Sequence, residues 1–188
     1  EWTKALYMHD ADTSTYVHYC FAYDLKELAE KGLYFLDGFN AEPPQHLSTF
    51  IDFVKEYISF TSNRSSGAVG LPNIIPYMYY FWKKDCAEGF ATKSPEYYAR
   101  QQIQRFVYAV NQPYVRDGMQ SAFTNVSVFD DEYLMALFGG AEFPDGSFMV
   151  DNLAETKEFQ KVFMEVVAEI REHNLFTFPV LTISLLRK

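Results

Sequence analysis

Strand-like runs alternate with helical runs along the whole of this 188-residue chain, and no other feature limits its folds so tightly. Tyr16 to Tyr23, rich in aromatic and β-branched residues, predicts a strand, which Asp24 ends by opening a short helix through Leu25, Leu28 and Ala29 to Gly32. After a turn-rich stretch from Asp37 to Pro44, the residues Leu47, Phe50, Ile51, Val54, Tyr57 and Ile58 fall on one helical face. They predict a long helix over 44–61, entered through Glu42-Pro43-Pro44. Gly67 to Leu71 reads as a short buried strand closed by Pro72, and Ile74 to Lys84 as an aromatic helix. Ser94 with Pro95 opens the next helix, carried by Tyr98, Ile103, Phe106, Val107 and Val110. Ser121 to Phe129 alternates as a strand, and Asp130-Asp131-Glu132 begins a short helix that Gly139-Gly140 ends. Phe159, Val162, Phe163, Val166, Val167 and Ile170 make the clearest helical stripe, ahead of a final strand from Phe176 to Leu186. This order predicts a single α/β region over 1–188, built on a mainly parallel sheet.

A hydrophobic content of 48% with 18% aromatic residues is that of a folded chain. The formal net charge of -9 argues against sequence-independent binding of DNA or RNA, which needs Lys and Arg to neutralise backbone phosphates. A free nucleotide stays compatible, because backbone amides bind phosphate without basic side chains. No apolar run approaches the length of a membrane span, and Cys20 and Cys86 show neither CxxC nor Cys/His ligand spacing. A soluble, cytoplasmic protein with no metal in this segment is expected. The first residue is Glu1, and the final apolar run would need a crossover and further strands in a parallel sheet, so a piece of a longer chain is expected.

Two polar, glycine-punctuated segments each lead into a strand: Asn63 to Asn73, and Gln112 to Asn125. Gly67 and Gly70 fit neither a Walker A loop nor a dinucleotide fingerprint, and no Lys-Ser/Thr follows them. They either let a helix pack closely on a strand or leave room for a ligand, with Ser65 and Ser66 supplying hydroxyls. On a strand His18 and Cys20 share a face, which brings a base near a thiol, although a cysteine in an apolar strand is also ordinary core. His9-Asp10-Ala11-Asp12 groups polar, metal-capable side chains, yet capping and turn roles suit them better, and the helix dipole accounts for Asp130-Asp131-Glu132.

The ordered set formed by His9-Asp10-Ala11-Asp12, Tyr19-Cys20, Asp24-Leu25, Glu30-Lys31-Gly32-Leu33, Asn63 to Pro72 and Gly118 to Asn125 resembles the large subunit of the anaerobic, glycyl-radical ribonucleoside-triphosphate reductases. Arg64 to Leu71 also looks like the glycine-rich barrel strand of the aerobic reductases. The resemblance implies the first half of a ten-stranded α/β barrel and reduction of ribonucleotides to deoxyribonucleotides by glycyl and thiyl radical chemistry. It implies that Cys20 faces the 2′ side of the ribose as the catalytic residue of this segment. Ser65, Ser66, Gly67 and Ala68 would line the substrate pocket, and Gly118, Met119, Gln120 and Ser121 would form the allosteric specificity loop, with Gln120 reading a base edge. Glu88 to Ser94 falls where the other effector loop lies, and the helices near 47–61 and 96–111 resemble those of the dimer interface.

Implied partners are a ribonucleoside triphosphate substrate, a dNTP or ATP effector, a second copy of the chain and a radical-SAM activase. The glycyl radical and the finger-loop cysteine would lie outside this segment, which alone is expected to be inactive and, through its open strand edge, prone to aggregate. Two other readings compete: a non-catalytic nucleotide-binding regulatory module derived from the same barrel, and a purely structural dimerisation surface.

Overall fold

The structure, a computed structural model, describes residues 18–34, 38 and 40–186. The His9-Asp10-Ala11-Asp12 cluster and the start of the first predicted strand lie outside the described residues. Strand β1 (Phe21–Ala22) leads into helix α1 (Lys26–Lys31), and β2 (Leu33–Tyr34) and β3 (Asn40–Ala41) follow. The chain continues through α2 (Leu47–Ser62), β4 (Val69–Leu71), α3 (Ile74–Ala87), α4 (Pro95–Val110) and β5 (Thr124–Phe129). It closes with α5 (Asp131–Phe138), α6 (Leu153–His173) and β6 (Val180–Ser184).

The main sheet has four strands in the order β1-β4-β5-β6. Every neighbouring pair in it is parallel, with Phe21 opposite Val69, Val69 opposite Thr124 and Asn125 opposite Val180. The mixed α/β fold with a mainly parallel sheet is therefore as expected. Strands that are neighbours in space are also successive in this sheet, and helices fill each crossover. Because such crossovers share one hand, they place their helices on one face of the sheet.

Burial follows that geometry. Val69, Leu71, Val126 and Val128 join the helical core, whereas Ala22 is exposed, Gly70 and Asn125 are half-buried, and Val180 stays 45% exposed on the other side. One face of the sheet is covered and the other is left open by the described residues.

Local chemistry explains the helix boundaries. The Ser94 hydroxyl accepts the Tyr97 amide at 3.1 Å, with Pro95 at the first helical position, so α4 starts where its sequence predicts. Ser94→Ala should cost about 1 kcal/mol, measured by denaturant unfolding. Helix α2 begins at Leu47 rather than Pro44, because the buried carboxylate of Asp85 reaches from α3 to accept the Leu47 amide at 2.8 Å. Asp85 also contacts His46 Nδ1 at 2.7 Å and accepts the Tyr98 hydroxyl at 2.7 Å, joining α2, α3 and α4 at one point. Asp24 does not stand at the N-cap of α1, which is Leu25, but its carboxylate still accepts the Lys26 amide at 2.8 Å.

The antiparallel β2–β3 pair was not expected from its two-residue strands. At the far end of the sheet, Gln160 of α6 accepts the Phe129 amide at 3.2 Å and donates to the Phe129 carbonyl at 2.8 Å, which fixes β5 against its helix. The final strand is shorter than its apolar run, and it forms a sheet edge on which Ile183 is 64% exposed.

Candidate active site

The predicted site residues meet at the amino ends of the parallel strands. Cys20 directly precedes β1, Ser65 to Ala68 precede β4, and Arg116 to Ser121 lie on the loop that leads to β5. Cys20 is exposed, and continuing the strand alternation puts it on the same open face as Ala22. Its sulfur accepts the Ala68 amide at 3.2 Å. On either side, the Ser66 amide donates to the His18 carbonyl at 3.1 Å and the Phe21 amide to the Ala68 carbonyl at 3.1 Å. The His18 ring turns onto Phe21, with centroids 5.0 Å apart. The contact to the thiol therefore comes from backbone, and His18 contributes its carbonyl rather than a base.

Gly67 has a different purpose from either reading of its sequence. A Cβ there would lie 2.4 Å from the Tyr19 carbonyl oxygen and 2.6 Å from Cys20 Sγ. The missing side chain is thus filled by the Tyr19-Cys20 segment, neither by a helix nor by free space. At Gly70 a Cβ would meet Phe21 O at 3.2 Å, again a close approach of β1. The Ser65 Oγ is buried and has no hydrogen-bond partner among the described residues. Ser66 and Ala68 are half-buried.

The 116–121 turn is closed by paired backbone bonds, Arg116 N to Gln120 O at 3.1 Å and Gln120 N to Arg116 O at 3.3 Å. Its tip needs left-handed backbone at Gly118 (φ 79) and Met119 (φ 58), a conformation that glycine adopts freely and methionine rarely. Met119 is 75% exposed and Gln120 is also exposed, so both face outward from the turn. Ser121 instead donates its hydroxyl to the Asn111 carbonyl at 2.7 Å, anchoring the loop to the end of α4.

Residues that the sequence did not single out hold these parts together. Arg116 Nη2 donates to the Ser65 and Ser66 carbonyls at 2.9 Å each, and Nη1 to the Gly67 carbonyl at 3.4 Å. Its guanidinium stands 4.9 Å from the centre of the Phe123 ring, a cation–π distance. Asn63 accepts the Asp117 amide at 2.7 Å, a second tie between the two segments. The only signal for these roles was that Asn63 and Arg116 sit inside the two polar segments.

Other chemical groups are accounted for structurally. Donor atoms of His46, Asp85 and Glu88 lie within 4.8 Å of one another. Both Asp85 oxygens are already engaged at the helix junction, so this group serves packing. Burial, and then the Asp85 charge, push the Cys86 thiol up, which keeps it protonated. A cleft of about 720 Å³ opens between α1, α3 and the Phe143–Ser147 loop, and of the predicted site residues Glu88, at the start of the Glu88–Ser94 loop, lines it. The Glu88–Ser94 loop is largely exposed. No helix among the described residues is long and apolar enough to cross a membrane.

The family model described as "Anaerobic ribonucleoside-triphosphate reductase" matches residues 2–188. The crystal structure of the anaerobic ribonucleotide reductase from Thermotoga maritima in complex with dATP and CTP is 44% identical to this chain. It superposes with a TM-score of 0.89 over 97% of this chain and 30% of that one. The same enzyme with dATP bound in the specificity site gives a TM-score of 0.90 at 44% identity, over 97% of this chain and 31% of that one. With MES in the active site the values are 0.88 and 42%, over 100% of this chain and 32% of that one. The chain thus spans less than two thirds of the length of these structures. Among curated protein sequences nothing matches.

Proposed function

Because this chain belongs to the anaerobic ribonucleoside-triphosphate reductase family, we propose that it forms the first half of a ten-stranded catalytic barrel that reduces ribonucleoside triphosphates. The observation that carries this reading is the thiol of Cys20, on the open face of a one-sided parallel sheet and bonded to the Ala68 amide at 3.2 Å. A sheet covered by helices on one face is what a half-barrel requires, since its second face becomes the barrel interior.

In this reading the radical, generated by an activase on a glycine outside this segment, supplies hydrogen abstraction at the ribose. The residues of this chain hold the substrate and act on its 2′ side. Cys20 gives a hydrogen there as the 2′ hydroxyl leaves as water, and a reductant from outside this segment, formate or a thiol protein, returns the electrons. A thiol suits the role because its S–H bond is weak and its sulfur is reversibly oxidised. Ser65, Ser66, Gly67 and Ala68 border the ribose. Ser65 brings a buried hydroxyl that lacks a partner among the described residues, and a buried polar group of that kind favours a binding partner. Met119 and Gln120 project from the turn, where Gln120 offers a donor and an acceptor to a base edge. The relatives solved with dATP and CTP, and with dATP in the specificity site, support nucleotides as the substrate and effector in this reading. Helices α2 and α4 would contribute to a homodimer interface, and Glu88 to Ser94 to a second effector loop.

Difference hydrogen exchange on the complete protein tests the assignment. CTP should protect the backbone around Ser65 to Ala68, and dATP the backbone around Gly118 to Ser121. Protection by both nucleotides confined to the α1–α3 cleft would contradict it. Protection at the expected places without turnover would instead favour a regulatory nucleotide-binding module.

A further inference from the structure

We propose that Arg116 is a positioning residue for Cys20, and that it acts through the peptide unit joining Gly67 to Ala68. The proposal rests on the reading of Cys20 given above. That peptide unit has two ends. Its carbonyl oxygen accepts from Arg116 Nη1 at 3.4 Å, and its N–H donates to Cys20 Sγ at 3.2 Å. The arrangement repeats two peptide units earlier: Arg116 Nη2 holds the Ser65 carbonyl at 2.9 Å, and the N–H of the same unit, that of Ser66, donates to the His18 carbonyl at 3.1 Å. A third bond to the Ser66 carbonyl at 2.9 Å fixes the plane between them. A peptide unit is rigid, so gripping its oxygen fixes the direction of its N–H.

The cation matters as well as the geometry. A positive charge on the carbonyl side polarises each peptide toward its N–H, and such bonds strengthen one another along a chain. Arginine suits the task because its planar fork reaches several acceptors at once, which a lysine ammonium cannot do with fixed orientation. Phe123 supports the guanidinium from below, and strand β5 begins immediately after it.

Arg116 also closes the 116–120 turn with its own backbone, through the paired bonds to Gln120. One residue therefore belongs to the turn by its main chain and to the environment of the thiol by its side chain. A rearrangement of the turn must be felt at the Gly67-Ala68 peptide, and so at Cys20.

Arg116→Lys and Arg116→Ala in the complete protein test this, with three readouts: exchange of the Ala68 amide, alkylation of Cys20 followed on its own peptide, and steady-state turnover. In both variants Ala68 exchange and the Cys20 alkylation rate should change by about tenfold, the effect of losing roughly one charge-assisted bond. Turnover should fall mainly in kcat, by tenfold to a hundredfold, since small displacements of a reacting group act on the chemical step. Lysine should not rescue, because without the fork the charge cannot be held on all three carbonyls at once. Unchanged Ala68 exchange and Cys20 alkylation would overturn the proposal. So would lost protection with kcat intact, which would make Arg116 a structural clamp only. The exchange and alkylation readouts need no turnover, so absence of ribonucleotide reduction in the parent protein would count against the reductase reading while these two still decide the role of Arg116.

Discussion

Alanine at position 67 is expected to destabilise the protein by about 2 kcal/mol and to impair the site at the same time, because the added methyl has no room. Its nearest neighbours would be the Tyr19 carbonyl at 2.4 Å and Cys20 Sγ at 2.6 Å, closer than real Cβ contacts come. The first is backbone and cannot rotate away. Relief requires β1 and β4 to part at their amino ends, where the Ser66–His18 and Phe21–Ala68 backbone bonds hold them at 3.1 Å. The thiol of Cys20 would then lose its contact with the Ala68 amide. Gly140→Ala is the matched control, since nothing lies within 4 Å of a Cβ built there. Denaturant unfolding should show the loss at 67, with a change at 140 of less than about 0.5 kcal/mol. Equal stability of the two variants would show that the strands are not held as closely as described.

Much of this architecture was legible because the signals were local. The stripe through Phe159, Phe163, Val166, Val167 and Ile170 is buried in α6 as its spacing implies, and Ser94 and Asp130 cap the helices they precede. Elsewhere a distant partner made the decision. Pro44 would suit a helix entry, yet α2 starts at Leu47 because Asp85, 38 residues away, satisfies its first amide. The β2–β3 pair escaped notice because two-residue strands carry no period.

The candidate site divided in the same manner. Cys20 and the polar segments around 65–68 and 118–121 were visible as residue types in order. That the side-chain space at Gly67 is taken by Cys20 itself depends on the register of β1 against β4, which no local pattern encodes. Arg116 was read only as part of a turn, since an arginine that binds backbone carbonyls leaves no motif.

The second large effect concerns the thiol itself. Cys20→Ala should leave the fold in place, because Cys20 is exposed and its one hydrogen bond among the described residues is that from the Ala68 amide at 3.2 Å. It should nevertheless abolish catalysis, as removal of a group that acts at the reacting atoms lowers kcat without a matching change in substrate affinity. Serine is the sharper substitution: it keeps the size and the capacity to accept the Ala68 amide, but its O–H bond is too strong for the hydrogen transfer that a thiol performs. The most direct measurement is therefore single-turnover reduction of CTP by the complete, radical-loaded protein under anaerobic conditions, comparing the parent with Cys20→Ser and monitoring CTP binding in parallel. Binding within about twofold of the parent together with a loss of deoxynucleotide formation of roughly a thousandfold or more is the predicted result. Deoxynucleotide formed by Cys20→Ser at the parent rate would contradict the assignment of the chemistry to Cys20.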